Sequence, residues 1–245
     1  MPFYEREEQI LNILSECDEV TLTALAERLF VSIPTIRRDL VKLEKKRMIL
    51  KKYGSVSLIK DPADATIAFS FRAEEQSAPK HVMAKLAAAR IKEGDTVMLD
   101  ATTSAYFLVP YLTEIKNIIV ITSGAKTALL LAQYGIQNIC TGGRMINKSF
   151  SYTGTDAIET IMRYNADIAF VSCRGLSMDG KVTDNSIEEN EVRRAMLKQS
   201  KRKVLLCDGQ KLGRTCLHNL CSASDFDEII SNVELPKYLT PQAKG

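Results

Sequence analysis

The sequence predicts an α/β protein in two parts. A small winged helix-turn-helix unit comes first, and a doubly wound, mostly parallel α/β domain follows. Three observations carry this prediction. Apolar residues before residue 45 recur at helical spacing, interrupted only by short turns. A basic segment folded about Gly54 comes next. From Lys80 onward, apolar runs of four or five residues alternate with helical stretches, the pattern of a parallel sheet covered on both faces. The expected boundaries are 1–58 for the first domain, 59–79 for a linker and 80–245 for the second domain.

Tyr4 to Ser15 carries Ile10, Ile13 and Leu14 on one face and predicts a first helix. Val20-Thr-Leu22 reads as a short apolar stop. Thr23 to Leu29 reads as a second helix capped by Thr23, and Phe30-Val31 as a tight connection. Ser32 then stands at a cap position, where a hydroxyl can accept from a first-turn amide. Pro34 falls in the first turn, where a missing N–H costs little. Ile36, Leu40 and Leu43 form the apolar stripe of this third helix.

The opposite face of the third helix presents Pro34, Thr35, Arg38, Val41, Lys42 and Lys45, with Arg37 at its border. Short hydroxyls and arginines suit base edges and phosphates in a major groove. The helix-turn-helix plan places just such a helix there. Ile49-Leu50 and Val56 to Leu58 flank Tyr53-Gly54-Ser55 and predict a hairpin wing, with Lys51 and Lys52 against phosphate. Residues 37–52 hold eight basic and two acidic side chains, a local net of +6, against +3 for the whole chain. Concentrated positive charge is the electrostatic footprint of nucleic-acid binding. The candidate DNA contacts are Ser32, Pro34, Thr35, Arg37, Arg38, Lys42, Lys51 and Lys52.

Residues 4–58 resemble the amino-terminal domain of DeoR-type bacterial transcription regulators. Val31-Ser32, Thr35-Ile-Arg-Arg-Asp-Leu40 and Leu43-Glu44 carry the resemblance. Two departures touch only the wing. Arg47 stands where the family usually has glycine, and Lys52-Tyr-Gly-Ser55 replaces its usual arginine, histidine and glycines.

Lys60-Asp-Pro-Ala-Asp-Ala65 has turn character and marks the boundary. Phe69-Ser-Phe-Arg72 resembles the family's arm that packs on the larger domain. A helix is expected over Lys80–Lys92 with Val82, Leu86 and Ala89 on one side. Strands are expected at 96–100, 118–122, 136–140, 168–172, 204–207 and 228–231, and helices at 104–112, 125–133, 156–163 and 188–199.

Ligands of such sheets bind beyond the carboxyl ends of the strands. The residues there are Asp100-Ala-Thr-Thr-Ser104, Thr122-Ser-Gly124, Thr141-Gly-Gly-Arg144, Ser172-Cys-Arg-Gly175 and Asp208-Gly-Gln-Lys211. Thr102, Thr103 and Ser104 offer hydroxyls at a helix start, and Gly142 and Gly143 permit close backbone approach. Thr122, Ser123, Arg144, Arg174, Gly175 and Lys211 complete an edge that suits a small phosphorylated polyol.

The resemblance extends over residues 80–232, which look like the DeoR-type effector domain, related to ribose-5-phosphate isomerase and glucosamine-6-phosphate deaminase. Asp100, Thr103-Ser104, Thr122, Gly142-Gly143, Gly154, Asp167, Gly175, Glu191, Arg194, Asp208 and Lys211 match. It implies that Thr103, Ser104 and Lys211 hold a phosphate and that Asp100 accepts from sugar hydroxyls. Glu191, a helix glutamate near the pocket, could serve as a base but is expected to hydrogen-bond a ligand hydroxyl. Thr102 and Ser123 depart from the family's usual glycine and asparagine.

The function so implied is a regulator of a carbohydrate-metabolism operon, a repressor in the usual case, controlled by a phosphorylated sugar. Its partners are double-stranded operator DNA, the sugar phosphate and further copies of itself, as a dimer or tetramer. The competing reading is a sugar-phosphate isomerase or deaminase carrying a DNA-binding domain. Aldose–ketose isomerisation needs a carboxylate base. The corresponding place reads Arg174-Gly-Leu-Ser-Met-Asp179, with one late carboxylate, so binding without turnover is expected.

Hydrophobic residues make up 45% of the chain and charged residues 26%, ordinary for a globular protein. No run approaches a membrane span, the amino terminus is unlike a signal peptide, and the expected location is cytoplasmic. The six cysteines do not read as a disulfide framework. Cys216, His218 and Cys221 lack a fourth ligand at regular zinc spacing, so neither metal nor cofactor is expected.

Overall fold

The structure is a computed structural model that describes residues 3–17, 19–45, 48–52, 54–58 and 77–240. The segment Phe69–Arg72, Arg47 and Tyr53 lie outside the described residues. The chain forms two compact units, Met1–Phe71 and Arg72–Gly245.

In the first unit, helices α1 (Phe3–Glu16), α2 (Leu22–Arg28) and α3 (Ile33–Lys45) enclose Ile10, Leu14, Leu25, Ile36, Leu40 and Leu43, all fully buried. These are the apolar positions that recur at helical spacing. The hairpin is present as β2 (Ile49–Lys52) and β3 (Ser55–Leu58), paired Lys52 to Ser55. Gly54 takes φ 80° at its tip, where a side chain would be strained. Val20-Thr21 is a strand, β1, and not a mere stop: Val20 pairs with Val56 and makes a third strand.

The cap of α2 is also displaced from the expected residue. Thr21, not Thr23, accepts from the Ala24 amide at 3.2 Å, because Leu22 is already helical. At its other end α2 closes in a Schellman turn. Phe30 N donates to Glu27 O at 3.3 Å and Val31 N to Ala26 O at 3.0 Å. The turn forces Phe30 into the left-handed region at φ 53°, which costs a side-chain-bearing residue about 1–2 kcal/mol. Asp39, 2% exposed, receives Arg6 Nε at 2.8 Å and so ties α3 to α1.

The second unit is built on one six-stranded parallel sheet ordered β14-β12-β9-β4-β5-β6. Its strands are β4 (Thr96–Leu99), β5 (Ile119–Thr122), β6 (Asn138–Cys140), β9 (Ala166–Ser172), β12 (Ser200–Leu206) and β14 (Glu228–Ile230). Each falls on an apolar run marked in the sequence. Both faces are covered: Phe170, Leu99 and Leu206 pack in one core, and Val171, Met98 and Leu205 in the other. The helices are α4 (Ser77–Ala88), α5 (Thr103–Tyr106), α6 (Ala125–Gln133), α7 (Thr155–Met162) and α8 (Ile187–Lys198). Pro110 lies in a separate 3₁₀ turn, Val109–Leu112, so the single helix expected over 104–112 is two short pieces.

The face expected to be buried on α4 is the wrong one. Met83, Ala84 and Ala87 are buried, while Val82 and Leu86 are 53% and 44% exposed. Among the described residues, five further strands that the sequence did not reveal form two small sheets. β7 (Arg144–Ile146) pairs antiparallel with β8 (Ser151–Thr153). β10 (Gly175–Leu176), β11 (Lys181–Asp184) and β13 (His218–Ser222) make a second small sheet. In the main sheet the direction of winding reverses between β4 and β9, and such a reversal opens a crevice at the strands' carboxyl ends.

Candidate functional site

Two surfaces hold the candidate residues. On α3, Pro34, Arg37, Arg38 and Lys42 are exposed and Thr35 is half-buried, and Ser32, just before it, is exposed. Ser32 keeps its place before the helix, its carbonyl accepting from Ile36 N at 3.1 Å. Its hydroxyl, however, pairs with Thr35 Oγ1 at 3.0 Å and not with an amide. Arg38 donates to the same Thr35 oxygen at 3.4 Å. On the wing, Lys51 Nζ lies 2.6 Å from Glu44 Oε2, so this cation is offset by a carboxylate of the unit itself. Lys52 is placed by its backbone in β2.

The second surface is the crevice between β4 and β9. Asp100 follows β4, is 1% exposed and is saturated by protein donors. Its Oδ1 accepts from Thr102 N at 3.0 Å and Thr102 Oγ1 at 2.6 Å. Its Oδ2 accepts from Ser172 N at 2.9 Å and Arg193 Nε at 3.0 Å. Asp100 therefore fixes the turn that presents Thr103 and Ser104. Lys211, from the loop after β12, brings Nζ to 3.2 Å from Ser104 Oγ and 2.9 Å from Ser172 Oγ. Asp208 Oδ2 holds the same ammonium at 3.2 Å. Burial pulls the Lys211 pKa down, and Asp208 with the neighbouring Cys173 and Cys207 more than offsets it, so the net shift is upward. The ammonium is thus charged at neutral pH although its side chain is only 18% exposed.

Arg193, which sequence reasoning passed over, organises this crevice. It is 4% exposed and reaches Asp100, Asp184 Oδ2 at 2.9 Å and Glu189 Oε2 at 3.5 Å. Burial opposes its charge, but Asp184, Asp100 and Glu189 raise its pKa above the usual value. Burial likewise opposes the Asp184 charge, and Arg193 and Arg174 together hold its pKa below normal. A signal existed: Asn190, Arg193 and Met196 recur every three residues along the buried stripe of α8. The adjacent Arg194 faces outward and pairs with Glu191. Glu191, half exposed there, is not brought to the crevice.

The other candidates line the flanks. Thr122 Oγ1 accepts from Gly124 N at 3.1 Å, and the turn after β5 abuts the Asp100 turn. A Cβ at Gly124 would come within 3.0 Å of Ala101 Cα. Ser123 is buried, and its carbonyl accepts from Tyr152 N at 2.7 Å. Gly142 and Gly143 have φ 65° and 102°, and a Cβ on Gly143 would lie 2.7 Å from Thr153 O. Gly175 admits the Arg214 carbonyl, which a Cβ would meet at 2.5 Å. Arg174 is 3.7 Å from Asp184, and Arg144, 73% exposed, is 3.7 Å from Glu188.

Comparison with known proteins places both units. Residues 6–61 match the DeoR-like helix-turn-helix domain, and residues 75–233 match the DeoR C terminal sensor domain. The chain belongs to the DeoR family. Among DeoR-family relatives, it is 33% identical to the HTH-type transcriptional regulator GolR of Listeria innocua, over 96% of this chain and 93% of that one. It is 28% identical to a putative aga operon transcriptional repressor of Escherichia coli O157:H7, over 95% of this chain and 87% of that one. The fold is also similar to that of eIF2B delta from Chaetomium thermophilum, with a TM-score of 0.50 at 17% identity. That likeness covers 68% of this chain and 60% of the solved one, and shows the fold alone. Among the described residues, no helix is long and apolar enough to cross a membrane, and no group of three His, Cys, Asp or Glu is placed to hold a metal.

Proposed function

We propose that this DeoR-family regulator is a cytoplasmic repressor of a carbohydrate operon whose operator binding is controlled by a phosphorylated sugar. The observation that carries the effector reading is the Lys211 ammonium held between Ser104 Oγ and Ser172 Oγ at the reversal of the sheet. A cation with converging hydroxyls is suited to a phosphate, and Arg174 and Arg144 stand beside the glycine turns, each facing a carboxylate at 3.7 Å. A relative named as a putative operon repressor supports the regulatory part of this reading.

Binding without turnover is supported by the state of the carboxylates. Asp100 has its acceptors filled, Asp184 is engaged by Arg193, and Asp208 is held by Lys211 and the Gln210 amide. Asp179 is exposed and paired with Lys181. None is left poised as the base that isomerisation requires. In this reading Asp100 positions the phosphate-binding turn and does not itself contact the sugar.

On α3 the exposed hydroxyls and arginines contact the operator, and paired copies of the chain present two such helices to repeated half-sites. The sugar phosphate binds one arrangement of the copies better than another, without which it shifts nothing.

The test has two stages. A duplex is first selected from a random pool by the purified protein. The protein is then heated with a panel of sugar phosphates and their unphosphorylated sugars, since a ligand of the native state raises the melting temperature. A sugar phosphate that stabilises and also changes affinity for the selected duplex supports the proposal. Equal stabilisation by the unphosphorylated sugar, or turnover of the phosphate, sinks it.

A further inference from the structure

Among the described residues of the first unit, the exposed large apolar side chains are confined to one place. Among its described residues, the large hydrophobics left exposed are Phe30 at 95%, Ile33 at 36% and Val41 at 43%. All three lie on α3 or on the turn that leads into it. Ile33, Arg37 and Val41 recur every four residues and make one row along the helix. Pro34 and Arg38 make the neighbouring row, so the cations and the apolar groups are interleaved.

Phe30 is the sharpest case. It occupies the position of the Schellman turn that suits glycine, at φ 53°, and its ring is almost wholly in water. A bulky residue in the left-handed region is strained. Nothing in the unit offsets that strain through burial of the ring. Strain retained without an internal gain points to a function outside the folded unit.

We propose that Phe30, Ile33 and Val41 form an apolar strip of the DNA interface that reads the 5-methyl groups of thymine in the major groove. The strip rests on the reading of α3 as the recognition helix. The thymine methyl is the apolar feature that distinguishes base pairs in that groove, and apolar side chains are its partners. The residues at the start of the recognition helix are those that meet base edges, and Phe30 and Ile33 flank that start. The arginines between them supply the phosphate and guanine contacts that an apolar strip lacks.

The experiment compares the duplex selected by the wild-type protein with the same duplex carrying deoxyuridine for every thymine. Loss of each buried methyl is expected to weaken binding about fourfold, read by fluorescence anisotropy. Phe30→Gly is expected to melt at a higher temperature, to bind the thymine duplex more weakly and to discriminate less between the two duplexes. Val41→Ser is expected to narrow the same discrimination. Equal wild-type affinity for the two duplexes overturns the proposal, as does a selected site without thymine. Unchanged affinity in Phe30→Gly together with a change in sedimentation mass also overturns it, in favour of a contact between copies. A wild-type protein that selects no duplex at all fails earlier, at the reading of α3 itself.

Discussion

Arg193 Nε lies 3.0 Å from Asp100 Oδ2, joining the middle of α8 to the turn after β4. Both groups are buried, and the same guanidinium reaches Asp184 at the end of β11. One side chain thus gathers three elements around the carboxyl end of the sheet. A buried ion pair is weak evidence of net stability, but removing one partner leaves charge uncompensated in a poorly solvated place.

Arg193→Met is therefore expected to destabilise the protein by about 3–5 kcal/mol, because Asp100 and Asp184 both lose their buried cation. Urea unfolding followed by circular dichroism measures this. A loss below about 1 kcal/mol, the scale of an exposed pair, would show that water solvates the crevice and that Arg193 does not organise it.

The same cluster sets an acid limit. The Asp184 pKa in the folded protein lies below its ordinary 3.8, since burial is outweighed by Arg193 and Arg174. A depressed carboxylate contributes stability that is present above its unfolded pKa and is lost as pH falls through the folded one. Arg193, shifted upward from its ordinary value, keeps its contribution throughout the accessible range. Stability is expected to fall as pH drops below about 4, and Asp184→Asn is expected to flatten that fall. Melting temperatures of both proteins between neutral and acidic pH test it; parallel curves would exclude Asp184 as the titrating group.

Much of this was legible in the sequence because parallel strands buried on both faces are continuous apolar runs. Phe170 and Val171 face opposite cores, so neither could be polar, and the run announces itself. The small sheet of β10, β11 and β13 hid because Lys181, Thr183 and His218 break any such run. The buried face of α4 was misplaced because alanines carry it, and Val82 and Leu86 looked the better core residues. In the crevice, Lys211 could be found from its place after a strand. Residue type does not separate Arg193 from Arg194; only the three-residue spacing of Asn190, Arg193 and Met196 along the helix does. The strain at Phe30 lies in the backbone and has no composition signal.

Arg37 and Arg38 are expected to carry the specific part of DNA binding. Both are exposed on α3, and Arg38 is steadied by Thr35 at 3.4 Å. Arg37→Ala and Arg38→Ala should each weaken the selected duplex, a base-reading arginine costing about 1–3 kcal/mol. Lys51 is different, because Glu44 already offsets it at 2.6 Å. Lys51→Ala should lower affinity for all duplexes alike and flatten the salt dependence by no more than about one phosphate contact. Anisotropy titrations over a range of salt separate the two behaviours. An Arg37/Arg38 double variant with wild-type affinity would remove α3 from the interface.

Lys211 is expected to act on the effector and not on the operator. Its ammonium stays charged because Asp208 and the neighbouring thiols offset the effect of burial, and a charged donor is what a phosphate dianion requires. Its Nζ lies on Ser104 Oγ and Ser172 Oγ, so the cation and both hydroxyls already converge on one point where a phosphate would bind. A charge-assisted contact of this kind is worth roughly 1.5–3 kcal/mol. Each 1.4 kcal/mol is tenfold, so Lys211→Ala should need about ten- to a hundredfold more effector to respond. Because that variant leaves Asp208 buried without its cation, Lys211→Arg is the companion that keeps the charge while changing its shape. Both should hold the selected duplex as the parent does, with melting curves confirming the fold. The readout is duplex binding titrated with the sugar phosphate found by thermal shift. A Lys211→Ala protein that folds and responds at the parent's effector concentration would place the phosphate elsewhere than between Ser104 and Ser172.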